Sequence, residues 1–151
     1  MPSQIKVDEI KNVAGQYEIK TNTFKGQTTA GSIAVQSEGT ATTNLQQGLA
    51  KAWINFDGTA SGAAARGSLN LASMTDTSTG VYVCNLTNAF ANTNDCAATS
   101  SASAATTGSD NRNISTTLTS ASAIDSRVSN AASGAVLDTS INYVSAYGDL
   151  A

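Results

Sequence analysis

The chain has 151 residues, of which 40% are hydrophobic, 13% charged and 5% aromatic, with a formal net charge of −3 and no histidine. That length suits one domain, or two small packed lobes, and can bury a real core. Eight scattered cations form no basic stripe for phosphates, which argues against nucleic acid as a partner, and no apolar run approaches the roughly 20 residues a bilayer span needs.

Residues 5–10 (IKVDEI) alternate apolar and polar side chains, as a half-buried strand does, and residues 16–20 (QYEIK) resume the alternation after the turn at 12–15. Together they predict a β-hairpin whose apolar positions Ile5, Val7, Ile10, Tyr17 and Ile19 are candidates for an attachment arm. A third short strand is expected over 32–36. A boundary near 38–45 then divides an N-terminal arm, residues 1–42, from a C-terminal β-domain, residues 43–151. The arm is too small to bury much by itself and is expected to serve attachment or oligomerisation. Residues 42–49 form the one candidate helix, marginal at under three turns.

Residues 49–56 carry the clearest strand pattern, with Ala50, Ala52, Ile54 and Phe56 facing one way and Lys51, Trp53 and Asn55 the other. Trp53 has two readings, stacking on a sugar ring or filling a gap between sheets or subunits, and packing is the commoner use of such a residue. Further strands are expected at 68–74 and 80–86, joined by a polar loop at 75–79, and at 97–105 and 114–120, flanking a turn at 108–111. Strands at 135–137 and 140–147 complete the set, the last with Ile141, Tyr143, Ser145 and Tyr147 on one face. Short strands at close intervals, with no βα alternation, predict an all-β fold: an antiparallel β-sandwich or open barrel with an N-terminal hairpin and strand arm.

Signals for chemistry are sparse. Without histidine the Ser-His-Asp and Cys-His arrangements and most catalytic zinc sites fall away. No phosphate-binding loop, dinucleotide fingerprint or nucleophile elbow is present. The carboxylates are spread along the chain, and Asp57 and Asp76 at strand ends read as turn residues rather than a catalytic pair. Asn92, Asn94 and Asp95, or Asp110, Asn111 and Asn113, offer oxygen ligands, but neither run has the alternate spacing and terminal Glu of an EF-hand, so Asx-turns are expected. Cys84 and Cys96 are either two small buried hydrophobes or a disulfide worth up to about 3 kcal/mol. The expectation is a protein with no enzymatic activity, no cofactor and no metal. The first residues lack the apolar core of a signal peptide, so synthesis and assembly in the cytoplasm are expected.

Several segments carry a resemblance. Residues 3–12 (SQIKVDEIKN) with Ala14 and Gly15, and above all residues 43–59 (TNLQQGLAKAWINFDGT), resemble marine bacteriophage tail-fibre-like virion structural proteins. Residues 68–76 (SLNLASMTD), 80–83 (GVYV), 85–90 (NLTNAF) and 144–149 (VSAYGD) are similar to the same family. The resemblance implies a β-rich, homotrimeric virion protein exposed on the particle. It would contact other phage structural proteins and mediate attachment to a host surface glycan or protein, and it carries over no catalytic residues. Asn88, Asn92, Asn94 and Asp95, with Asp110 and Asn111, would then form polar loops at an exposed tip. The chain has no shaft of heptads or long repeats, so a capsid decoration or cement protein, or a head spike, is the alternative.

Overall fold

Side chains alternate across a strand, so a strand with one apolar set presents one face to a core and the other to solvent. That rule organises the computed structural model, which describes residues 23, 33–36, 40–103 and 112–151. The arm positions Ile5, Val7, Ile10, Tyr17 and Ile19 and the loop residues Asp110 and Asn111 lie outside the described residues.

The short strands β1 (Ala34–Gln36) and β2 (Thr42–Asn44) pair antiparallel, and one helical turn, α1 (Leu45–Gly48), leads into the main body. The helix expected over 42–49 is thus reduced to four residues, with its first part given to β2. Two four-stranded sheets follow. The first contains β3 (Ala50–Asp57), β4 (Ala64–Leu69), β7 (Cys96–Ser103) and β10 (Ile141–Gly148), in the order β4-β3-β10-β7. The second contains β5 (Leu71–Ser78), β6 (Val81–Leu86), β8 (Arg112–Ser120) and β9 (Ala123–Asn130), in the order β5-β6-β9-β8. Every pairing is antiparallel, and the fold is an all-β sandwich.

The central strands of each sheet supply the core. Ala52, Ile54 and Phe56 of β3 and Val144 and Ala146 of β10 come from the first sheet; Tyr82, Cys84 and Leu86 of β6 and Ile124 and Val128 of β9 come from the second. The rings of Phe56 and Tyr82 meet edge to face with centroids 5.1 Å apart, joining the layers. Both edges are drawn together. Asn70 alone separates β4 from β5, in a left-handed conformation (φ 63°), with its side chain accepting from Asn88 N (2.7 Å) and donating to Asn88 O (3.0 Å). At the opposite edge β7 lies beside β8, where Thr116 Oγ1 donates to Ser100 Oγ.

Several expected elements are revised. The strand expected at 68–74 is two strands in different sheets, because Asn70 turns the corner between them. The polar loop expected at 75–79 is mostly β5, and the reversal is made by Thr79 and Gly80. Gly80 has φ 69°, and a Cβ there would stand 2.7 Å from Val128 O, so only glycine fits. The expected strand at 135–137 is a single bridge, Val136 to Ser129. Most telling is β9, which no expectation covered, although Ile124, Ser126 and Val128 alternate inward between the outward Asp125 and Arg127.

At the end of the sandwich that carries Asp57 and Gly80, polar groups anchor the long β9–β10 connection. Asp138 Oδ1 accepts from Gly80 N and from Tyr82 Oη, both at 2.7 Å. Asn142 Nδ2 donates to Thr139 O (2.8 Å) and its Oδ1 accepts from Thr139 Oγ1 (2.5 Å). This fixes the start of β10 and therefore its register on β3.

Candidate functional site: the outer face of the first sheet

β10 settles the site. Its residues Ile141, Tyr143, Ser145 and Tyr147 share a face, as expected, but the core takes the other set, Asn142, Val144 and Ala146. Register explains this. Val144 lies opposite Ile54 and Asn142 opposite Phe56, so inward residues meet inward residues, and Tyr143 and Ser145 are placed beside Asn55 and Trp53 on the outside.

Two rows of side chains cross the four strands on this outer face. One runs Leu69, Trp53, Ser145, Thr99, and the other Gly67, Asn55, Tyr143, Ser101. Trp53 and Tyr143 therefore stand on a diagonal, at about the 7–8 Å that diagonal neighbours keep across an antiparallel pair, with Asn55 and Ser145 on the other diagonal. Trp53 is 43% exposed, Tyr143 48% and Leu69 46%. The indole lies over Gly67: a Cβ there would lie 3.5 Å from Trp53 Cζ3, in ordinary van der Waals contact. A groove of about 330 Å³ opens between Trp53 and Tyr143, with Asn55, Ser145, Thr99 and Ser101 along it. Thr99 and Ser145 hydroxyls share a hydrogen bond of 2.9 Å, and among the described residues no charged side chain lines the groove. Asn55 Oδ1 is shielded from water and has no hydrogen-bond partner among the described residues.

Among the described residues, Lys51, Arg66 and Asp57 bring charge to this sheet. Lys51 donates to Leu49 O at 3.3 Å, and Arg66 forms an ion pair with Asp57 at 2.6 Å. The Asp57 carboxyl is held below the usual carboxylate range, chiefly because it accepts from the Thr59 hydroxyl (2.6 Å) and amide (3.0 Å), with Arg66 adding a smaller pull. Asp57 is thus a turn residue, in line with its expected role.

The loop residues fare differently. Asn92 Oδ1 accepts from the amides of Asn94 (2.7 Å) and Asp95 (3.0 Å), an Asx-turn, and its amide donates to Asp95 Oδ2 (2.6 Å). Asn88 is tied to Asn70, and Phe90, between Asn88 and Asn92, is fully buried and bridges to Leu150. This is a loop stapled to the body. β7 opens directly after this loop, at Cys96, which pairs with Gly148.

Cys84 and Cys96 are both free thiols, held on different sheets. Cys84 is fully buried, and burial, with a smaller contribution from Asp125, pushes its pKa up to about 12. Burial also raises the Cys96 thiol, with Asp95 adding to it. Cys84 is thus a core residue, the plainer of its two expected roles. No cluster of three or more His, Cys, Asp or Glu able to hold a metal occurs among the described residues.

Sequence reasoning placed Trp53 and Asn55 on one face but did not single out Asn55, Tyr143, Thr99 or Ser101 as neighbours. The shared parity of Tyr143 and Tyr147 was the available signal; which strand they would meet was not in the pattern. Compared with known proteins, the chain matches no family model, no curated protein and no solved structure.

Proposed function

We propose that this chain is a bacteriophage virion structural protein, a tail-fibre-like or receptor-binding component that mediates attachment to the host surface as one copy of a homotrimer. The virion location and the trimer rest on the resemblance of residues 3–12 and 43–59 to marine phage fibre proteins. The observation that carries a docking role is the gathering of Trp53, Leu69, Tyr143 and Tyr147, all exposed, on one outer face. Exposed aromatic clusters of this kind mark contact surfaces, because leaving them wet has a free-energy cost that a purely structural face avoids. The strongest stretch of resemblance, residues 43–59, runs through β3 and so includes Trp53 and Asn55. In this reading residues 1–42 supply oligomerisation or attachment to other phage structural proteins, and the sandwich faces outward.

The test is the number of copies per purified particle, by quantitative mass spectrometry against the major coat protein. A handful, in multiples of three or six, is the expected result. Hundreds of copies would overturn attachment in favour of capsid decoration. Deleting residues 1–36 is expected to abolish co-purification with particles; a truncated chain that stays particle-bound would remove the arm from the proposal.

A further inference from the structure

We propose that the groove between Trp53 and Tyr143 on the outer face of the first sheet is a binding site for a neutral oligosaccharide. This rests on the attachment reading above and gives it a place and a ligand chemistry: the flat face of a sheet rather than the polar loops.

Four features of the groove select that ligand. Trp53 and Tyr143 stand exposed at diagonal positions across β3 and β10, and aromatic rings so placed suit the apolar C–H faces of sugar rings. Between and beside them stand hydroxyls and an amide, Ser145, Thr99, Ser101 and Asn55, groups that both donate and accept as a polyol requires. Among the described residues no charged side chain lines the groove, so a polyanion or polycation finds no counter-charge in them, whereas an uncharged polyol has no charge to be desolvated. Finally, Asn55 Oδ1 is a shielded acceptor with no partner among the described residues. Such groups are rare in folded proteins, and a hydroxyl donated from a ligand in the groove would supply the missing bond after a small rotation of the amide.

The site is also prepared rather than improvised. The indole lies over Gly67 on β4, and β10 is held in register by the buried Asn142–Thr139 pair. At about 330 Å³ the groove is at the small end of ligand sites, suited to a short segment of one chain. A weak single site of this kind becomes useful when a trimer presents three together.

The experiment is isothermal titration calorimetry on the full chain with neutral hexasaccharides of glucose, galactose, mannose and N-acetylglucosamine, and with dextran sulfate as the polyanion. At least one neutral sugar is expected to bind with a millimolar or sub-millimolar Kd, and dextran sulfate is expected to bind more weakly. Trp53→Ala should weaken binding at least tenfold and Tyr143→Ala about fivefold, while Thr117→Ala on the other sheet leaves it unchanged. Asn55→Val keeps both rings and is expected to fold normally yet bind about fivefold more weakly, so a folding defect in Trp53→Ala does not decide the outcome. Failure of every neutral sugar, retention of full affinity in Trp53→Ala and Asn55→Val, or tighter binding of dextran sulfate would overturn the proposal. So would a sedimentation shift showing that copies associate through this face and lose that association in Trp53→Ala. Particle copy number separates the two readings: a particle-bound protein that ignores sugars sinks the groove alone, and a sugar-binding protein missing from particles sinks the virion role alone.

Discussion

The two outer faces of the sandwich are built on the same antiparallel grid and have opposite characters. On the second sheet the rows read Thr75, Val83, Asp125, Thr117 and Ser78, Val81, Arg127, Ser115. Its polar groups serve one another: Asn85 Nδ2 donates to Ser73 Oγ (3.2 Å), and Thr119 Oγ1 donates to Asp125 Oδ1 (3.0 Å). On the first sheet the corresponding places hold Trp53, Tyr143 and Leu69, and Asn55 Oδ1 is left without a partner among the described residues. Of the described residues, no large hydrophobic side chain on a second-sheet strand is exposed, whereas the first sheet exposes four. The second face also carries a groove of about 330 Å³, but Asp125 and Arg127 line it with Ser115, Thr117 and Thr119, and no aromatic residue does. The first is more favourable covered than wet, and that difference is the reason for assigning recognition to it.

The comparison can be broken or sharpened at several depths. The largest effect is expected beneath both faces, at Phe56, whose ring meets Tyr82 across the layers. Phe56→Ala should cost about 3–5 kcal/mol in urea unfolding. A loss below about 1 kcal/mol would mean that the sheets are not held by this contact and that the two faces do not share a core.

Alkaline pH should act next, and through the second sheet. Cys84 and Tyr82 both lie in its core, and both are pushed upward, Cys84 to about 12 and Tyr82 further, each mainly by burial and Tyr82 also by its bond to Asp138. A group raised in the folded state contributes stability that is whole below its unfolded value and declines above it. Stability should therefore hold below pH 9 and fall as pH rises from 9 toward 12, with Tyr82 joining above 10. A loss on the order of 1–3 kcal/mol by pH 11 is expected, measured by denaturant unfolding at pH 8, 10 and 11. Cys84→Ala should flatten the part that begins at pH 9; an unchanged profile would show that the thiol is not the group responsible.

A smaller effect of opposite sign is expected on the first face. An isolated buried acceptor destabilises a fold by roughly 1–3 kcal/mol, so Asn55→Val should stabilise the protein by about 1 kcal/mol while weakening sugar binding. A destabilised Asn55→Val would show that the amide serves the fold instead. The smallest effect belongs to the second face, where Thr117→Ala should stay within about 0.5 kcal/mol of the parent in the same unfolding assay. A larger change there would erase the contrast between the faces.

The β-class, the strand of residues 50–56 with its inward Ala52, Ile54 and Phe56, and the turn role of Asp57 were all legible in the sequence, because each depends on alternation or turn chemistry within a few residues. Three things were not. β9 was hidden because Ser126 occupies the centre of its inward set and Asp125 and Arg127 flank it, so its local pattern is weak, although Ile124 and Val128 are fully buried in the fold. The division of residues 64–78 between sheets hangs on the left-handed turn at Asn70, a single residue in an otherwise continuous β-pattern. The face that meets solvent on β10 was decided by its pairing with β3 and β7, since period-two alternation yields two sets of side chains but not which set lies inward. Sequence determined that Tyr143 and Tyr147 share a side, and Trp53 and Asn55 another. Only the tertiary register brought Trp53, Asn55 and Tyr143 around one groove, because contacts between residues some ninety positions apart arise from strand pairing and leave no trace in the spacing along the chain.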